Sequence, residues 1–140
     1  MRLETERLLI RGIQPEDEKE FIEMASDGSL HDVGFGKNCS NWMKKWIAET
    51  RKLTDADNPA SSYLAYTIAL NETGEAIGSV GCSYYDDLRE IGIVYFIGAS
   101  YRNRGYAVEA AKAYTAYFFN HYNLPRLIAT IREDNPNHTD

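Results

Sequence analysis

The sequence predicts one α+β domain, and three observations carry that prediction. Its elements read in the order β, α, α, three consecutive strands, α, β. The three central strands are separated only by short turn-forming breaks, which makes them an antiparallel meander. The chain has 140 residues, which suffices for one domain and is too short for two ordinary ones, so 1–140 is read as a single unit.

Each element follows from local chemistry. Residues Leu8 to Ile13 (LLIRGI) are apolar with Arg11 interrupting, and form the first strand. Pro15 opens PEDEKEFIEMAS, where acids crowd the first turn and Phe21, Ile22, Met24 and Ala25 make an apolar stripe, so a helix of about three turns is expected. Gly28 to Gly36 holds three glycines and is a loop. Ser40 is placed to cap a second helix, NWMKKWIAETRKL, and TDADNPAS then turns the chain. Tyr63 to Leu70, Glu75 to Tyr85 and Glu90 to Ile97 are the meander strands, joined by NETG and by a turn at Asp86 and Asp87. The stretch RGYAVEAAKAYTAYFFNHY is the clearest helix, Pro125 ends it, and Leu127 to Ile131 reads as a last strand at the sheet edge.

Composition narrows the function. Lysines and arginines total 15 against 21 acids, a formal charge of −6 with a pI near 5.1, which disfavours nucleic acid as a partner and suits a cationic small molecule or peptide amine. No stretch is long and apolar enough for a membrane span, and MRLETERLLI lacks the apolar core of a signal peptide, so a cytoplasmic protein is expected. Cys39 and Cys82 occur without CxxC spacing or a clustered histidine, so the sequence signals no metal site and no disulfide, only two ordinary thiols. The ten tyrosines, Tyr84 and Tyr85 included, read with Trp42 as core or rim packing.

The stretch from Glu90 to Ala110, EIGIVYFIGASYRNRGYAVEA, carries the chemistry. A strand runs through a short polar turn with Arg102, Asn103, Arg104 and Gly105 straight into a helix. Unpaired N–H groups at a helix start converge and carry partial positive charge, which suits a phosphate or diphosphate. Gly105 leaves the approach open, Ala107 keeps the first turn slim, the arginines add charge, and Asn103 tolerates the left-handed backbone a tight amide nest needs.

The spacing Arg102-x-x-Gly105-x-Ala107 after Tyr95-Phe96-Ile97 resembles the [Q/R]-x-x-G-x-[G/A] signature of the GNAT acyltransferase superfamily. The phrases Glu90-Ile91-Gly92, Tyr101-Arg102, Gly105 to Ala110 and ETERLLIR resemble its branch of ribosomal-protein-alanine N-acetyltransferases. The resemblance implies the acyl-CoA N-acyltransferase fold, a mixed but mostly antiparallel sheet flanked by helices. It also implies acetyl-CoA as co-substrate and no metal. On it, the backbone of Tyr95, Phe96 and Ile97 pairs with the pantetheine amides, and main-chain N–H groups from Arg102 through Asn103, Arg104, Gly105, Tyr106 and Ala107 hold the diphosphate. Asn135 matches the Asn of a downstream N-x-x-S phrase that reaches the pantetheine. The chain departs from the pattern with Asn103 for Gly, Ala99 for Pro and His138 for Ser. The family's final helix and strands have no counterpart, as in a truncated form, a natural fragment, or a chain completed by a second copy in a homodimer.

Acetyl transfer needs a base for the attacking amine, a fixed donor for the carbonyl oxygen and a route for the leaving thiolate. Glu90, at the start of the strand leading to the cofactor site, is the first candidate base. His31, on the glycine-rich loop and of a type suited to accepting a proton near neutral pH, is the second. A main-chain N–H near Phe96 or Ile97 is the candidate oxyanion donor, His138 a stand-in acid, and Glu109 a partner within the long helix. The expected activity is N-acetylation of a primary amine, either a protein N-terminus or a small cationic amine. The alternative is a noncatalytic CoA-binding or interaction domain.

Overall fold

A computed structural model describes residues 1–129. Five strands, β1 (Arg2–Glu4), β2 (Leu8–Gly12), β3 (Tyr63–Leu70), β4 (Ala76–Tyr85) and β5 (Glu90–Ile97), form one antiparallel sheet in sequence order. Helices α1 (Glu18–Ala25) and α2 (Met43–Ala56) follow β2, and α3 (Tyr106–Tyr122) follows β5.

Two cores explain the sequence pattern. On one face Leu8, Ile10, Leu64, Ile68, Ile77 and Val80 pack against Ala107, Ala110, Tyr114 and Phe118 of α3. On the other, Ile13, Ala65 and Ala76 meet Phe21 and Ala25 of α1 and Met43 and Ile47 of α2. The sheet is covered on both sides, so β3 reads as a nearly unbroken apolar run instead of alternating. Where α1 begins, Asp17 is 2% exposed. Its carboxylate takes two hydrogen bonds from the Arg11 guanidinium at 2.9 Å, one from the Thr67 hydroxyl at 2.8 Å and one from the Gln14 N–H at 2.9 Å. This network joins β2, β3 and the entry to α1.

The structure corrects the expected boundaries in several places. Arg2–Glu4 is a strand, paired with Leu9 to Arg11. Ser40 does not cap α2: Cys39–Asn41 is a 3-10 turn, and the half-in position before Met43 belongs to Trp42, with no side-chain cap. That helix runs on through Thr54, Asp55 and Ala56, closing at Asp57 in the left-handed region (φ 57°), whose carboxylate accepts from the Tyr122 hydroxyl and pairs with His121 of α3. Of the expected last strand, the described part makes one parallel bridge, Ile128 opposite Gly92, with Ile93 N–H to Ile128 O at 2.8 Å and Ile128 N–H to Ile91 O at 2.9 Å. Residues 130–131 lie outside the described residues.

Candidate functional site

Strand periodicity sets what β5 offers. Gly98 N–H donates to Ile77 O in β4 (2.8 Å), whereas Ile93 N–H turns outward to Ile128. Backbone groups alternate sides in an antiparallel ladder, so Gly92, Val94 and Phe96 bond to β4 and Ile91, Ile93, Tyr95 and Ile97 direct theirs to the outer edge. Of the three residues expected to offer main-chain groups to a ligand, Tyr95 and Ile97 therefore face outward. Phe96 gives its amide to the ladder and its ring to Phe21 and Phe35.

Past Ile97 the chain makes a 3-10 turn at Ala99–Tyr101 and enters α3 through two left-handed residues, Asn103 (φ 64°) and Gly105 (φ 81°). Tyr101 steadies this turn against Glu75, whose carboxylate accepts from the phenol and, with burial, pushes it up to about 12. The first intrahelical bond is Glu109 N–H to Gly105 O, 3.1 Å, and no side chain caps the helix start. The N–H groups of Tyr106, Ala107 and Val108 precede that bond and point out of the helix end together. A 17-residue helix adds partial positive charge there. Beside it, Tyr95, Ala107, Val108, Ala111, Lys112, Thr115 and Ala116 line a cleft of about 460 Å³ between the outer edge of β5 and α3. The small residues of α3 make its wall slim, and Lys112 adds a cation. An elongated anion-bearing molecule fits this arrangement: diphosphate at the helix start, body along the strand.

The expected arginines act differently from one another. Arg102 donates through Nε to Ile97 O (2.9 Å) and through Nη2 to Ser29 O (3.3 Å), so its guanidinium braces the loop and engages one of the outward carbonyls of β5. Arg104 is exposed, and its carbonyl accepts from the guanidinium of Arg7 (2.9 Å). Glu109 pairs outside its helix, not within it. It accepts from the Thr5 hydroxyl (2.5 Å), the Arg7 N–H (2.9 Å) and Arg7 Nε (2.7 Å). Partial burial pushes the Glu109 carboxyl up, but these three donors outweigh it and hold the group below the usual carboxylate range. The Arg7 guanidinium also lies over the Tyr106 ring, 4.4 Å from its centroid. Sequence reading missed Arg7, whose only signal was its place in ETERLLIR.

The two candidate bases stand apart. Glu90 is an ion-pair partner of Arg126, 21% exposed in its side chain, at the start of β5. Tyr84, Arg89, Ile91, Leu124 and Pro125 complete a smaller cleft of about 220 Å³ around that pair. Seven residue steps at about 3.3 Å place it about 23 Å along the strand from Ile97. His31 lies in a 3-10 turn (His31–Val33) with its side chain 83% exposed and 4.0 Å from Asp32. Its loop reaches the opposite end of β5, where Ser29 meets Arg102. Asn135 and His138 lie outside the described residues. Among the described residues no group of three or more His, Cys, Asp or Glu is gathered as for a metal ion, and no helix is long and apolar enough to cross a membrane.

A two-faced antiparallel sheet whose edge strand delivers the chain into an uncapped helix start defines the N-acyltransferase architecture. The chain belongs to the acetyltransferase (GNAT) domain family, whose model matches residues 7–139, and its activity class is acetyl transfer. It is 31% identical over 142 residues to the uncharacterized N-acetyltransferase YnaD of Bacillus subtilis (strain 168), covering 96% of this chain and 75% of YnaD. A crystal structure of an acetyltransferase from Agrobacterium tumefaciens str. C58 superposes with a TM-score of 0.79 at 26% identity, over 97% of this chain and 77% of that one. A ribosomal L7/L12 α-N-protein acetyltransferase solved in complex with coenzyme A shares the fold, with a TM-score of 0.76 at 12% identity over 96% of this chain and 77% of that one.

Proposed function

We propose that the chain moves the acetyl group of acetyl-CoA to a primary amine, with the diphosphate at the start of α3 and the pantetheine arm along β5. The observation that carries this reading is the uncapped N–H cluster of Tyr106, Ala107 and Val108 at the mouth of the cleft beside Tyr95. Bound acetyl-CoA supplies a thioester, an acetyl group already activated for transfer. The residues of the chain do the rest. The amides from Arg104 to Ala107 seat the anion, since the Arg102 N–H already bonds Ala99 O, and the outward edge of β5 at Ile97 aligns the arm as an added strand. At Ile97 that leaves the N–H, because Arg102 holds the carbonyl. An outward N–H of β5 is the fixed donor for negative charge at the acetyl oxygen.

An arm anchored at the Ile97 end points its thioester along β5 only as far as Ile93, where Ile128 takes over the edge; Glu90 is the base we assign on that side, released from Arg126 when the acceptor arrives. His31 sits at the diphosphate end. The acceptor class is a cationic primary amine, favoured by the net charge of −6. Within that class, likeness to the ribosomal-protein branch supports a protein α-amine.

Release of free thiol from acetyl-CoA across a panel of N-terminal peptides and small amines tests the activity. Turnover that falls on the order of 100-fold in Glu90→Gln supports the assignment of the base. Tight CoA binding with no turnover on any amine makes the chain a noncatalytic CoA-binding domain instead. Absence of CoA binding at millimolar concentration overturns the reading.

A further inference from the structure

We infer that Arg7 is a positioning residue for the diphosphate seat, fixing the orientation of the Arg104–Gly105 peptide so that its N–H faces the ligand. This rests on the proposed seat of the diphosphate at the start of α3. No peptide bond among the described residues is cis, so the carbonyl of Arg104 and the N–H of Gly105 point in opposite directions. Arg7 Nη1 holds that carbonyl at 2.9 Å, and the N–H of Gly105 is thereby turned away from Arg7. Gly105, on one side of this peptide, is left-handed (φ 81°), and so is Asn103 (φ 64°), one residue before Arg104, a backbone that bends sharply at the nest.

Arg7 is itself held by three further contacts. Its Nε and N–H bind the two oxygens of Glu109, which also accepts from Thr5, and its guanidinium stacks over Tyr106. The clamp closes on both sides of the peptide it orients: Arg104 before it, Tyr106 and Glu109 after it. A β-carbon at position 105 would stand 3.4 Å from Arg7 Nη2, so the guanidinium lies directly against the backbone it orients. The same cation stands beside a helix end that is already electropositive, which the carboxylate of Glu109 in part offsets. Geometry at the nest, more than added charge, is therefore what Arg7 contributes.

A donor lacking the diphosphate separates this role from a purely structural one. kcat/KM is measured with acetyl-CoA and with S-acetyl-pantetheine for the wild type, Arg7→Gln and Arg7→Lys, alongside thermal unfolding. Arg7→Gln is expected to lose about tenfold with acetyl-CoA and less than about twofold with S-acetyl-pantetheine. Arg7→Lys keeps the charge but cannot bridge Glu109 and Arg104 at once. It is expected to show the same selective loss, and it decides the question if the Gln variant does not unfold cooperatively. Equal losses with both donors would make Arg7 a structural tether only and overturn the inference. A wild type that does not prefer acetyl-CoA over S-acetyl-pantetheine overturns the diphosphate seat itself. A wild type that prefers it, with variants that keep the preference, overturns the role of Arg7 alone.

Discussion

The guanidinium of Arg102 donates through Nε to the carbonyl of Ile97, 2.9 Å away, tying the loop that feeds α3 to the last residue of β5. Through Nη2 it also reaches Ser29 in the loop between α1 and α2. One exposed side chain thus sets the relation of strand end, helix start and neighbouring loop. Arg102→Met removes both bonds while keeping the aliphatic stem. A several-fold rise in KM for acetyl-CoA is expected, with a stability loss of about 1 kcal/mol. Steady-state kinetics and a melting curve check this, and an unchanged KM would count against the bracing role.

Asp17 governs the acid side of stability. Burial pushes its carboxyl up, but the hydrogen bonds from Arg11, the Gln14 N–H and Thr67 outweigh burial and hold it below the usual carboxylate range. A carboxyl lowered in the folded state stabilises fully above its unfolded value of about 4 and loses that contribution as pH falls through the lower folded value. Asp17→Asn strands Arg11 without its charge partner and is expected to cost about 3 kcal/mol or more at neutral pH. The variant also flattens the decline in stability below about pH 4. Denaturant unfolding from pH 3 to 7 reads both effects, and an undiminished acid limb in the variant contradicts the assignment.

Two glycines give a contrast within one sheet. A β-carbon at Gly81 would lie 1.9 Å from the carbonyl oxygen of Leu64 and 2.7 Å from its carbon, backbone that cannot step aside. Gly12 has nothing within 4 Å of the same position. Gly81→Ala is expected to destabilise by about 3 kcal/mol or more, and Gly12→Ala to stay within about 0.5 kcal/mol. Chemical denaturation of the two variants side by side checks the ranking; a reversed order would show the strand spacing to be wrong.

The hydroxyl of Tyr114 is buried with no well-formed hydrogen bond, and the thiol of Cys82, a weak partner, lies beside it. Burial, and then Cys82, raises its pKa, so the phenol stays neutral. Tyr114→Phe removes a poorly satisfied polar atom and keeps the ring packed against Tyr66 and Phe118. Stability is expected to hold or rise by up to about 1 kcal/mol. A loss beyond that would reveal a bond this hydroxyl makes.

What the sequence disclosed, and what it withheld, divides by distance along the chain. The meander was legible because NETG and the aspartates after Tyr85 mark turns between apolar runs. The junction at Arg102 to Ala107 was legible because strand, turn and helix follow each other directly. Strand β1 was not, since three residues, RLE, are too few to show a period. The end of α2 was misplaced because Thr54 to Ala56 look like a turn until His121 and Tyr122 hold Asp57. The partner of Glu109 was hidden for the same reason: Arg7 lies 102 positions away, and no local rule joins them.

The tether between Arg7 and Glu109 carries a consequence for assembly. Arg7 meets a residue 102 positions later in the sequence, and strands β2 to β5 lie between the two. The clasp is then a late event in folding, because it waits for α3 to be made.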